Sequence, residues 1–203
     1  MKVRSFSFFL ACSALVLALG GCSKPPPNVD EQKQQVWRDF DRFKDLLSLA
    51  QGHEALNYVD KASRDYLQQV ATRPPDAADP ELIQLIRRSM AKLTPGGIQP
   101  GFTIETPLQH VLDAGWVTPS DLGGITIGPA TLDPDGAHAQ AEALWQGQPT
   151  TFQIVFVRES DLWKIDLFNL LPYAQAALGM DRAVKNETEA QQLERLVGEV
   201  PRP

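Results

Sequence analysis

The chain has 203 residues, 43% of them hydrophobic, with 19 basic against 25 acidic side chains and a net charge of −6. This length suits one domain with a full core. The acidic balance, without a basic cluster to reverse it, argues against nucleic acid or an anionic membrane surface as partner.

Met1-Lys2-Val3-Arg4 opens the chain with positive charge. Phe6 to Leu19 follows uncharged and mostly apolar, and Leu19-Gly20-Gly21-Cys22 closes the segment. A positive start, an apolar middle and small residues at the end are the parts of a secretory signal peptide. The apolar run, about 14 residues, is shorter than the ~20 a spanning helix needs. The ending resembles the lipobox of bacterial lipoproteins. That resemblance implies diacylglycerol on the Cys22 thiol, removal of residues 1–21, and acyl chains such as palmitate holding Cys22 on a membrane of the cell envelope. Ser23 after the cysteine points to the outer membrane, facing the periplasm. Cys12 lies in the segment to be removed, so the mature chain would keep neither a free thiol nor a disulfide.

Residues 22–29, with Pro25-Pro26-Pro27, form an extended tether of ~3.1 Å per residue, read as a spacer. A domain over 30–172 and a C-terminal tail over 173–203 complete the division. Val36, Phe40, Phe43, Leu47 and Ala50 recur at helical spacing and predict a helix over 29–50, widened by Trp37 and Leu46, capped by Asp30 and ended by Gly52. A second helix is expected from Glu54 to Thr72, stopped by Arg73-Pro74-Pro75. A third starts at Asp79-Pro80, with aspartate as cap and proline at the first position, and carries Leu82, Ile83, Ile86, Met90 and Leu93. Phe102-Thr103-Ile104 is a candidate strand. Thr106-Pro107-Leu108-Gln109 has the form of a capping box opening a short helix.

From Ile125 the period changes to two. Residues 125–132 read as a strand bent at Gly128-Pro129, and 137–145 as a strand with Ala139, Ala141, Ala143 and Trp145 on one face. Residues 151–158 read as a strand with Phe152, Ile154 and Phe156 on one face, and 162–171 as the last strand of an antiparallel meander. Lys164 and Asp166 are expected to pair on one face of that strand. Beyond Pro172, a short apolar stretch and a polar helix over 186–197 are read as a weakly docked or frayed tail rather than a partner-binding helix.

Helices followed by this meander, and above all Val157-Arg158-Glu159-Ser160-Asp161-Leu162-Trp163-Lys164-Ile165-Asp166, resemble the nuclear transport factor 2-like superfamily. The resemblance implies an α+β fold in which N-terminal helices pack on a curved antiparallel sheet of four to five strands, shaped as a cone. Enzymes of that superfamily place an acid, a base or a tyrosine inside the cone. Candidates by residue type are Tyr58, Asp60, Tyr66, His110, His138, Glu142 and Asp166, but no motif selects among them. His53, His110 and His138 are scattered and do not form a zinc pattern. Phosphate loops, nucleophile elbows and dinucleotide fingerprints are absent from the sequence. Trp37, Trp116, Trp145 and Trp163 read as packing residues. No catalytic residue, metal or cofactor is therefore assigned, and Cys22 is the one committed site. The reading is a tethered module that binds a small hydrophobic ligand, a peptide or an envelope protein, with a homodimer through the sheet face left open. The alternatives are an immunity lipoprotein against a secreted toxin, and an enzyme with a buried carboxylate or tyrosine in the cone.

Overall fold

A computed structural model describes residues 28–74, 76, 78–94, 102–106, 109 and 122–199. Cys22, the tether as far as Pro27, His110, Trp116 and most of the fourth expected helix lie outside the described residues; Asn28 and Val29, read as the end of the tether, are the cap and first residue of the first helix. Among those described, the fold is α+β: six α-helices and a curled antiparallel sheet.

Helix α1 spans Val29–Ser48. Asn28, not Asp30, caps it, its Oδ1 accepting the Glu31 N–H at 2.8 Å. Gly52 does not end it either. Ala50 takes the left-handed conformation (φ 54°), its N–H donates to Leu47 O, and the Gln51 N–H donates back to Leu46 O at 2.8 Å. This is a Schellman stop built on alanine. Gly52 instead begins a one-turn helix, α2 (Gly52–Ala55), which runs into a 3-10 turn over Leu56–Tyr58.

The expected continuous helix over 54–72 is thus broken at Val59-Asp60. Val59 forms an isolated parallel bridge with Ile165, and the Asp60 N–H donates to Ile165 O. Asp60 then caps α3 (Lys61–Thr72) through its carboxylate, which accepts from the Ala62 and Ser63 N–H groups. Helix α4 covers Glu81–Leu93. Pro80, rather than Asp79, occupies its cap position, and the Asp79 carboxylate binds the Arg73 and Arg87 guanidinium groups. Phe102-Thr103-Ile104 is not a strand. Ile104 is buried with Leu56 and Val59 in a small second core.

The sheet contains β1 (Ile125–Ile127), β2 (Thr131–Leu132), β3 (His138–Trp145), β4 (Gln148–Glu159) and β5 (Leu162–Ile165). Strands β1 and β2 both pair with β3, separated by Gly128-Pro129 as the sequence predicts, and β3-β4-β5 form a meander. Two-residue turns at Gln146-Gly147 and Ser160-Asp161 join its hairpins, with positive φ at all four residues. Such mirror-image turns match the twist of the flanking strands.

One sheet face carries Ala139, Ala141, Ala143, Ile154, Phe156, Trp163 and Ile165, and α1 covers it with Val36 and Phe40. The three alanines leave room for the helix, and Phe40 meets Phe156 edge to face at 6.1 Å. Trp145 does not join that face. It is 47% exposed, past a register shift between Glu142 and Leu144, and its ring lies over Gly124. Trp37 is also largely exposed.

Strand β5 ends at Ile165, six residues earlier than the sequence reading. Asp166 accepts from the Phe168 N–H and the Asn169 side chain, opening a 3-10 turn over Phe168–Leu170. Helices α5 (Leu171–Lys185) and α6 (Glu189–Glu199) follow. The tail is docked, not frayed. Leu193 and Gln192 are buried, the Lys92 ammonium donates to Val197 O and Gly198 O, and Arg182 pairs with the buried Glu81.

Candidate functional site

Helix α1, the α2/3-10 segment and β5 enclose a cleft of about 540 Å³, lined by Arg42, Leu46, Gln51, Glu54, Asn57, Tyr58, Leu162 and Lys164. Arg42 and Leu46 are one helical turn apart and so share a face of α1. Leu162 and Lys164 are two apart and share a face of β5. The early stop of α1 at Ala50 swings Gln51 to Tyr58 round to form the remaining wall. Gln109 braces this corner: its amide accepts from the Gly52 N–H at 2.9 Å and donates to Ala50 O at 2.7 Å.

Leu46 is buried at the cleft floor, with Leu162 half-buried beside it. The Lys164 ammonium lies 3.2 Å from Glu159 Oε2, and Glu159 Oε1 accepts the Lys61 N–H at 3.1 Å. Lys164 is therefore held in place by a pair that is itself anchored at the start of α3. The side chains of Arg42, Gln51, Glu54, Asn57 and Tyr58 make no hydrogen bond or ion pair among the described residues. A guanidinium, a carboxylate, two amides and a phenol thus border an apolar floor with their hydrogen-bonding capacity unspent. A pocket of this size with a few convergent polar groups can orient a small ligand.

The sequence candidates do not converge. Tyr58 alone borders the cleft. Asp60 caps α3. Tyr66 packs at a tilt against Phe168, ring centroids 4.8 Å apart. Glu142 is exposed on the outer sheet face opposite Gln153, and Asp166 caps the 3-10 turn. The expected Lys164–Asp166 pair is replaced by Lys164–Glu159, since β5 ends before Asp166 can share its face.

His138 sits at the β2–β3 turn, its Nδ1 3.2 Å from Asp135 Oδ2. With Asp133 these are the one group of metal-ligating side chains among the described residues, with ligand atoms within 4.8 Å of one another. Asp135 is already committed to the turn through the Ala137 N–H. That bond, with His138 as the lesser cause, holds its carboxyl below the usual range.

Glu105, which no sequence signal marked, is half-buried. Burial pushes its carboxyl up, but the hydrogen bond from Thr103 and the charges of His53 and Arg64 prevail and hold it low.

No family model matches the chain, and no curated protein or solved structure matches it. No helix among the described residues is long and apolar enough to cross a membrane.

Proposed function

We propose that this chain is an envelope lipoprotein, anchored through acyl groups on Cys22, whose domain binds a small ligand or an envelope protein at the cleft between α1 and β5. The observation that carries the binding part is the set of unspent polar side chains around Leu46 and Leu162. The anchoring part rests on Leu19-Gly20-Gly21-Cys22 at the end of an uncharged apolar run. The outer membrane is the proposed location, from Ser23. We also propose a nuclear transport factor 2-like cone as the finer fold. Helices that precede a curled meander support it, as does α1 lying across the alanine-rich sheet face.

In that superfamily the space between sheet and helix is the usual pocket. Here Phe40, Phe156 and Trp163 occupy it, which is why the binding site is placed at the flank of the cone. Two experiments test the reading. Alkyne-palmitate labelling should tag a membrane-bound species lacking residues 1–21, and Cys22→Ser should abolish the tag; an untagged species with an intact leader overturns the anchor. A photo-crosslinking side chain at Asn57 should capture a discrete envelope ligand or protein that the same group at Ala190 does not. Equal capture at both positions overturns the cleft as the binding site.

A further inference from the structure

Lys164 is 9% exposed, and a lysine is seldom buried that far unless its charge is met. Among the described residues Glu159 alone meets it, through one carboxylate oxygen at 3.2 Å. An ammonium has three donors, so two stay unspent in a buried side chain that borders the cleft. Arg42 borders the same cleft from α1, with no partner among the described residues. Helix α1 and β5 pack on one another through Val36, Phe40, Trp163 and Ile165. Each thus brings a cation with spare donors to one opening. A carboxylate, which accepts charge-assisted bonds from both kinds of donor, fits such a pair.

Glu54 belongs to the remaining wall and is likewise unpaired. It borders the same cleft as Arg42, yet the two form no ion pair. Opposite charges held apart over Leu46 and Leu162 suit a ligand that carries both charges and some apolar surface. Charge accounting points the same way. Glu159 offsets Lys164, and Arg42 and Glu54 are equal and opposite. A simple anion would set a second negative charge near Glu54, and a simple cation would crowd Arg42 and Lys164. A zwitterion does neither.

We propose that the cleft takes a zwitterion with an apolar side chain, a free amino acid or short peptide of the leucine type. The carboxylate binds Arg42 and Lys164, the ammonium binds Glu54, and the side chain lies on Leu46 and Leu162. The volume of about 540 Å³ is in the usual range for small-ligand sites, ~300–1,000 Å³. This assignment rests on the cleft being the binding site, as proposed above.

Methyl NMR of Leu46 and Leu162, in the full chain in detergent micelles, tests it. Leucine or leucylleucine, which differ in the distance between their charges, should shift both signals saturably. The better binder distinguishes a free amino acid from a peptide. N-acetylleucine, with the negative charge alone, and leucinamide, with the positive charge alone, should each bind about tenfold more weakly. Arg42→Gln should weaken leucine and N-acetylleucine but leave leucinamide unchanged. Glu54→Gln should weaken leucine and leucinamide but leave N-acetylleucine unchanged. A merely structural role for either side chain would not give this crossed pattern. Uncharged N-acetylleucinamide binding as tightly as leucine, or equal losses for all probes in both variants, overturns the proposal. Discrete capture at Asn57 without a response to leucine or leucylleucine overturns the zwitterion and leaves the cleft standing. Equal capture at Asn57 and Ala190 without that response overturns both.

Discussion

The Asp39 carboxylate on α1 accepts the backbone N–H of Trp163 at 2.8 Å, closing the outer edge of β5 with a side chain. Strand β5 is the last strand of the meander, and its outward-facing groups would otherwise invite another strand. Two contacts close this edge: Asp39 takes the Trp163 N–H, and the Asp60 N–H takes Ile165 O. Asp39→Ala should leave a buried donor unpaired and cost about 1–3 kcal/mol in urea unfolding. Asp39→Asn, which keeps an acceptor, should cost less. Burial raises the Asp39 carboxyl above its ordinary value, with the Trp163 N–H opposing. Its protonated form is thus relatively favoured in the folded chain. The contribution of Asp39 is full below its unfolded value near 3.8 and falls as pH rises through the folded value.

Ala50 pays the steric cost of left-handed backbone without being glycine. Its Cβ crowds the following carbonyl, a strain of roughly 1–2 kcal/mol for an L-residue. Ala50→Gly should therefore stabilise the chain by about 1 kcal/mol, visible as a higher denaturant midpoint at unchanged slope. A loss of stability would mean that the Cβ makes contacts outweighing the strain.

The ion cluster joining α5 to α6 sets an acid limit. Hydrogen bonds from Lys185 and then Arg195 lower Asp181 to about 2, and Arg195 also lowers Glu187. Depressed carboxyls contribute stability above their unfolded values, near 3.8 for Asp181, and lose it as pH falls through the folded values. The melting temperature should drop as pH falls through that interval. Arg195→Met should flatten the drop, and an unchanged slope would remove the cluster from the account.

The alanines under α1 are a spacing device. Ala139 and Ala141 are 0% and 2% exposed beneath Val36 and Phe40. Ala141→Leu adds volume where none is free and should cost about 1–3 kcal/mol. Removing volume at the same layer, Phe156→Ala, should cost roughly 3–5 kcal/mol. Thermal unfolding of both variants reads the difference.

The cleft residues should behave oppositely. Arg42, Asn57 and Tyr58 make no side-chain hydrogen bond or ion pair among the described residues. Arg42→Ala, Asn57→Ala and Tyr58→Phe should change stability by no more than about 0.5 kcal/mol. A larger loss in calorimetry would assign these side chains a structural role.

Periodicity made the sheet and its inner face legible. Ala139, Ala141 and Ala143 alternate with polar residues, and β3 buries them as the pattern requires. The breaks were harder. No glycine or proline marks Val59-Asp60, where the chain leaves helix because Ile165, more than a hundred residues later, offers a carbonyl. At the end of α1 the nearby Gly52 marks the stop two residues late, because Ala50 takes the left-handed turn and Gln109 binds its carbonyl. The end of β5 was misplaced because Asp166, an ordinary strand-face residue by period, bends the chain by accepting from Phe168 and Asn169, two and three residues on. The cleft left no trace in the sequence, because Arg42, Glu54 and Lys164 are common surface types that acquire meaning only when three separate elements bring them to one place.

Helix α1 is 20 residues long, a rod of ~30 Å. Its first turns touch the β4–β5 hairpin at and beside its tip, where the Gln35 side chain donates to Asp161 O and Gln32 accepts from Arg158. Under the proposed anchoring, only Ser23 to Asn28 separate this end from the acyl groups, so the β4–β5 tip belongs to the membrane-proximal end of the domain. Arg42 and Leu46 sit in the last third of the rod. The opening they border would then be held clear of the bilayer, on the side from which a diffusing molecule or a neighbour in the aqueous space arrives.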